Sequence, residues 1–320
     1  MGDSIGKQKK EIYSYVDSSK KNIYFGSYPQ TAIKDETLIM ELNKKAGTLP
    51  TSENVYNWIQ YGYYVSDSVS IYMHYIDIDN DSDGRYDYRG VYFTQYRPGY
   101  KIISCTCDNS YQKDNGYDTN TIYWFKYEPI KWNILKIENN KALIISDLIL
   151  DSQYYYSNNI VDYQGNIATG MVYANNYMYS HIRSWLNETF YKTAFSTLEK
   201  EIIETTTVDN SVSSTGESSN SYACSNTNDK MFLLSYEEAT IYYSSDSESQ
   251  AKGSDYAKSQ GLYVSTDSSY SGYSNYWLRS PFVYNDGDDA WYVGYDGLVY
   301  NYRVYRNSIG VCPACWINLK

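Results

Sequence analysis

Residues 123–146 read YWFKYEPIKWNILKI, then ENNK, then ALIIS, and this stretch constrains the fold more than any other. An aromatic and β-branched run, a four-residue polar turn at Glu138-Asn139-Asn140-Lys141 and an apolar return predict a β-hairpin. Ala142 to Ser146 is continuously apolar until its last residue, so the returning strand is expected to be buried on both faces. A strand of that kind needs further strands beside it, and the chain has them. Ile23 to Gln30 reads as a strand ended by a Pro turn, and residues 55–100 carry three aromatic strand patterns, among them Ser70 to Asp77 and Tyr88 to Gln95.

Helices are few and short. One is predicted from its N-cap Asp35 through Leu38, Ile39 and Leu42 to Lys44-Lys45, stopped by Gly47. A second runs from Tyr177 to Phe190, with Ile182, Trp185, Leu186 and Phe190 at helical spacing. Ser196-Thr197-Leu198-Glu199 and Ser235-Tyr236-Glu237-Glu238 have the spacing of capping boxes. A last short helix is expected near Asp255 to Gln260, closed by Gly261. Residues 205–229 and 244–275 are Ser/Thr/Asn-rich or Ser/Tyr/Gly-rich loops. With no fixed-period repeat and no clean linker, the pattern predicts an α+β fold of antiparallel hairpins, a few short helices and long loops. It divides into a frayed tail at residues 1–21 and one domain over 22–320 with loop insertions.

Between two of the aromatic strands lies Asp79-Asn80-Asp81-Ser82-Asp83-Gly84-Arg85-Tyr86-Asp87. Its acids fall at loop positions 1, 3, 5 and 9 and its Gly at 6, the first part of a calcium loop. Position 12 is Gly90 where a bidentate Glu should stand, and the flanks read as strands. Asp79, Asp81, Asp83 and Asp87 are therefore the candidate calcium ligands, set against an ordinary Asp-Gly hairpin turn; no cofactor is required.

The remaining composition removes several function classes. The formal net charge is −11 and no Lys/Arg cluster is dense enough to follow a phosphate backbone, which argues against nucleic acid. No run of eighteen apolar residues occurs, so no transmembrane helix is expected. The N-terminus MGDSIGKQKK has no apolar signal core, no lipid-anchor cysteine and a poor myristoylation match. Five cysteines, at 105, 107, 224, 312 and 315, make no disulfide framework. Cys105/Cys107 with Cys312/Cys315 could form a zinc site, or the second pair a redox dithiol, although small buried residues in strands explain both pairs as well. Only two histidines exist, and no nucleophile elbow, phosphate loop or zinc-protease motif appears.

The C-terminal segment, Asn275 to Lys320, has a different character. Trp277-Leu278-Arg279-Ser280 before Pro281, and Ser308 to Leu319, read as framework strands. Between them, Ala290–Val293 and Leu298–Tyr300 flank an Asp296-Gly297 turn. Six of the 27 residues from Phe282 to Ser308 are Tyr, less than a twofold enrichment in a chain with 42 Tyr in 320. Their neighbours matter more, because Asn, Asp and Arg alternate with the rings as they do in recognition surfaces. The candidate ligand-binding residues are Tyr284, Asn285, Asp286, Asp288, Trp291, Tyr292, Tyr295, Tyr300, Tyr302, Arg303 and Tyr305.

Six segments together resemble a known family: Tyr24 to Gln30, Tyr88 to Val91, Phe125 to Trp132, His181 to Asn187, Trp277 to Pro281 and Gly310 to Ala314. In that order they resemble an uncharacterised bacterial family with a C-type-lectin-like fold related to formylglycine-generating-enzyme domains. Some members are similar to the variable proteins of diversity-generating retroelements. The resemblance implies a non-enzymatic, tyrosine-rich recognition or adhesion protein whose diversified face maps between Pro281 and Ile309. It implies a protein or glycan ligand on another cell, phage or host surface, and a secreted or cell-surface location. It leaves two alternatives, a formylglycine-generating-type thiol or metal oxidoreductase using Cys312/Cys315 and a structural module of a surface array. Where the family would lead one to expect Gly-Val-Arg-Pro-Ala, this chain has Gly-Val-Cys312-Pro-Ala.

Overall fold

The computed structural model describes residues 22–51, 53–65, 69–97, 111–157, 172–284 and 287–319. The tail expected over 1–21, Cys105, Cys107, Asn285 and Asp286 lie outside the described residues. The protein is α+β, with mainly antiparallel sheets and short helices.

The large sheet takes six strands in chain order: β1 (Asn22–Ala32), β2 (Ile59–Val65), β3 (Val69–Ile78), β4 (Tyr88–Phe93), β5 (Ile122–Glu138) and β6 (Lys141–Ser146). The hairpin predicted from residues 123–146 is β5–β6, turned at Asn139-Asn140 with both residues at positive φ. β5 pairs along its length with β1, β4 and β6. It tolerates Pro129 because the register of β1 slips on either side of Ser27–Pro29, so the missing N–H falls at an irregularity. Trp132, fully buried, stacks on Phe25 at 5.3 Å and gives its indole N–H to the Phe25 carbonyl at 2.9 Å, fastening β5 to β1.

Beyond β6 the chain makes short strands β7 (Leu148–Ile149) and β8 (Asp151–Ser152), then the pair β9 (Thr206–Val208) and β10 (Thr227–Asp229), then β11 (Ala251–Gly253) and β12 (Tyr273–Ser274). The C-terminal part adds β13 (Tyr276–Pro281), β14 (Asp289–Val293), β15 (Val299–Arg303), β16 (Gly310–Val311) and β17 (Ala314–Asn318). The expected closing strand over Ser308–Leu319 is divided at Pro313. β16 joins a five-stranded sheet in the order β15-β14-β13-β16-β8, while β17 crosses to the large sheet and pairs with β6. This crossing makes β6 a central strand and explains its apolar run: five of its six residues are buried. Two pairings, β13–β16 and β11–β7, are parallel.

Local rules account for the helices. Asp35 accepts the N–H groups of Thr37 and Leu38 at 2.9 and 3.1 Å and starts Glu36–Ala46. Ser196 and Ser235 both form complete capping boxes, with Glu199 and Glu238. The helix predicted from Tyr177 to Phe190 is instead three short pieces, a 3₁₀ turn at Tyr177–Tyr179, an α turn at His181–Ser184 and a π turn at Trp185–Phe190, and an α turn at Tyr191–Ala194 extends it. Ile182, Leu186 and Phe190 are nonetheless all buried, so the periodicity identified the core face and not the winding. One buried cluster runs from Ile23 to Ile317, and a smaller one packs the helix Glu36–Ala46 against β3–β5 through Leu42, Trp58, Ile76 and Trp124.

His74, on β3, is buried, and neither ring nitrogen has a hydrogen-bond partner among the described residues. Burial lowers its pKa from the ordinary 6.5. Between its folded and unfolded values the unfolded chain binds the extra proton. The stability that neutral His74 supports is therefore whole above pH 6.5 and falls as pH drops below it. Thermal melts at pH 7.5 and 5.5 should show a loss on acidification that is smaller in His74→Leu; equal slopes in the two proteins would refute this.

Candidate functional site

The candidate ligand-binding residues sit on a hairpin, β14–β15, and its alternation divides them between two faces. Tyr292 pairs with Tyr300 and Ala290 with Tyr302, so these rings share one face. Tyr292 lies 5.8 Å from Tyr300 and 6.2 Å from Tyr302. Buried Trp277, the cross-strand partner of Tyr292 on β13, meets that ring edge-on at 6.3 Å and flanks the row. The Arg306 guanidinium stands 4.9 Å over Tyr302. Tyr300 and Tyr302 are 41% and 39% exposed, so this face is open to a partner.

The opposite face points inward. Trp291 packs on Tyr236 at 4.8 Å and on Phe282 at 4.9 Å, and Phe282 meets Tyr284 at 5.5 Å. Arg303 pairs with Asp288 and, at 3.4 Å, with Asp289, its cross-strand neighbour. Burial pushes the Asp288 carboxyl up, and Arg303 holds it back. Arg303, Asp288 and Trp291 thus fasten the hairpin, while Tyr284 is exposed at the margin of this inner group and Tyr305 is half-buried.

The turn of the hairpin brings in three rings that no local pattern marks. Tyr295 lies 5.9 Å from Tyr263 and 5.7 Å from Tyr270, and Tyr263 lies 5.4 Å from Tyr111. The two groups adjoin. Burial raises the Tyr111 pKa and the nearby Tyr302 phenol adds to it; Tyr295 does the same to Tyr300 and Tyr292. Seven tyrosines from four parts of the chain therefore form one surface: 111, 263, 270, 292, 295, 300 and 302. Tyr300 donates to Asp296 at 2.7 Å and is pushed up to about 12 by that bond; Tyr292 reaches about 12 through burial. Both phenols stay protonated donors at physiological pH. Beside the turn, a groove of about 450 Å³ runs between the helix Tyr236–Tyr242 and Leu298–Tyr300.

The acidic turn between β3 and β4 brings Asp79, Asp81 and Asp87 within 4.8 Å of one another. Asp83 is not in this group and accepts the Arg85 N–H at 2.8 Å, while the loop's own N–H groups engage one oxygen each of Asp79 (from Gly84, 2.9 Å) and Asp87 (from Asn80, 2.6 Å). Cys312 and Cys315 are buried free thiols, and burial drives both pKa values far up, opposite to what a nucleophilic or redox thiolate needs. Cys312 lies against the Ser146 hydroxyl, so the position closes without the charge of an Arg.

These observations define a class: an α+β protein of mainly antiparallel sheets that carries an exposed tyrosine surface on its C-terminal hairpin. The chain belongs to the family described as a domain of unknown function, DUF6273, whose model matches residues 139–319. The match begins in the β5–β6 turn and takes in β6 to β17. No curated protein and no solved structure matches the chain.

Proposed function

We propose that the protein is a non-enzymatic recognition or adhesion protein on a C-type-lectin-like scaffold, which presents its tyrosine surface to a protein or glycan ligand outside the cell. The continuous seven-tyrosine surface carries this reading. Phenol rings supply rigid contact area at low entropic cost, and their protonated hydroxyls supply directional bonds. Diversification by a retroelement fits the hairpin, because Tyr300 and Tyr302 can change without touching the core. The thiol oxidoreductase alternative is weaker, given the two buried thiols. The test is an array of glycans and surface proteins probed with the natural chain and with Tyr292→Ala/Tyr300→Ala/Tyr302→Ala. Binding is expected to fall at least about tenfold, a loss of some 1.4 kcal/mol, while the melting temperature moves by only a few degrees. Unchanged binding to every hit would end the proposal. In the surrounding DNA, a near-copy of the codons for residues 281–310, differing at adenines beside a reverse transcriptase gene, would support diversification.

The acidic turn is proposed as a calcium site of low affinity. With three convergent carboxylates and no bidentate twelfth ligand, half-saturation is expected at about 10⁻⁴ to 10⁻³ M in a calcium titration followed by calorimetry. Micromolar or tighter binding, or none at 10 mM, which is about tenfold above that range, would contradict it.

A further inference from the structure

A cavity of about 290 Å³ lies apart from the tyrosine surface, and no residue of the 282–308 segment lines it. Three charged groups line it, Arg89, Arg97 and Asp151, and a fourth, Asp77, lies behind Arg89. Arg89 is gripped by Asp77 through two bonds of 2.7 Å, lies 4.3 Å over the Tyr75 ring and donates to the Tyr256 hydroxyl at 3.2 Å. Arg97 donates to the carbonyls of Ser152 and Gln260 at 2.6 and 3.0 Å. Asp151 accepts the Tyr28 hydroxyl at 2.8 Å and the Ser152 N–H at 2.7 Å. All four are largely or wholly buried. Stability alone gives little reason to keep them, since apolar residues of similar volume often serve a core as well or better than buried ion pairs.

Two independent features point to an occupant. The π turn Trp185–Phe190, in which the Tyr191 N–H reaches back five residues to the Leu186 carbonyl, places both Trp185 and Thr189 on the cavity wall. Such turns concentrate at functional sites because the extra residue re-aims side chains at some cost in helix regularity. The Tyr61 hydroxyl is buried on the same wall, with the Gln260 side chain beside it. Ile59 and Gln60, both exposed, stand at the mouth.

We infer that this cavity binds one neutral sugar ring. Asp77 balances Arg89 from behind the wall, and Arg97 and Asp151 offset each other on it, which leaves no net charge to select an ionic ligand. Its walls alternate flat aromatic faces with hydroxyl, guanidinium, amide and carboxylate groups, matching the alternating C–H and O–H groups of a pyranose. Its volume lies at the small end of ligand sites, enough for a single ring.

The inference is independent of the display reading, and the experiment separates the two. The full chain is titrated with glucose, galactose, mannose and N-acetylglucosamine, and in parallel with glycine, glutamate and inorganic phosphate, followed by calorimetry and saturation-transfer NMR. At least one sugar should saturate with a Kd of about 1 mM. Tyr61→Phe, which removes one hydroxyl from the wall, should weaken it about five- to tenfold while the melting temperature moves by only a few degrees. The triple variant at 292, 300 and 302 should bind the sugar normally. The inference is overturned if no sugar saturates by about 50 mM, some fiftyfold above the expected Kd. It is equally overturned if only a charged probe binds, or if Tyr61→Phe binds the sugar as well as the natural chain.

Discussion

Arg279→Ala is expected to lower the unfolding free energy by about 3–5 kcal/mol, read as a shift in the urea midpoint at constant slope. Arg279 is 2% exposed at the centre of β13. Its guanidinium pairs with Glu238, donates to the Leu233 carbonyl at 2.7 Å and to the Asp209 carbonyl at 3.0 and 3.3 Å, and lies 5.8 Å from the Phe232 ring centre. Removing it strands two backbone acceptors from separate segments and opens a cavity between them. Glu238 suffers less. It is partly solvated and still accepts the Ser235 N–H at 2.9 Å in its capping box, so the carbonyls dominate the loss. The assignment of the loss has its own check. Arg279→Lys keeps the charge for Glu238 but cannot reach three acceptors in fixed directions, and should recover less than half of the deficit. A loss below about 1 kcal/mol in Arg279→Ala, or full rescue by Lys, would show that the network is incidental.

Arg279 also marks where the sequence stops being readable. Trp277-Leu278-Arg279-Ser280 is legible as a framework strand because a short aromatic-apolar run and a terminal Pro are local signals. Both capping boxes, the Asp35 cap and the Asp296-Gly297 turn are legible for the same reason: each rule spans four residues or fewer. The partners of Arg279, at Asp209, Leu233 and Glu238, are set by how distant segments dock, and nothing near Arg279 in sequence encodes them. The same holds for the site. The rings of β14–β15 can be placed on one face by counting, since pleating alternates side chains with period two. Tyr111, Tyr263 and Tyr270 join them only through folding, and one phenol among 42 carries no label. Charge was also a poor guide to display: Asp288 and Arg303 have the composition of a recognition loop but pair with each other. The π turn at Trp185 escapes for a different reason. Its residues keep helical spacing, so the apolar pattern is the same whether the turn is α or π, and Phe190 meets its partner Tyr28, at 5.2 Å, only through folding.

Gly297→Ala should join stability to display in one measurement. Gly297 has φ +90°, and a Cβ there would stand 1.9 Å from the Asp246 carbonyl oxygen and 2.6 Å from its carbon. Both are backbone atoms, so relief requires the turn to leave the helix Asp246–Ser249. That docking is bonded, because the Ser249 hydroxyl donates to the Gly297 carbonyl at 2.8 Å. Positive φ alone costs an alanine about 1–2 kcal/mol, and the forced shift adds about 1–3 kcal/mol. Gly272 separates the two contributions: its φ is +85° and nothing lies within 4 Å of its Cβ position. Gly272→Ala should therefore show the backbone cost alone, about 1–2 kcal/mol, and Gly297→Ala clearly more. Equal losses in the two variants would mean that the turn is not held against Asp246. The displaced turn carries Tyr295 and Asp296, and Asp296 holds the Tyr300 hydroxyl. Gly297→Ala should accordingly weaken ligand binding even where the fold persists, whereas Gly272→Ala should leave it intact. The close approach of Gly297 to the Asp246 carbonyl, together with the Ser249 bond, therefore helps to set the registration of the tyrosine surface.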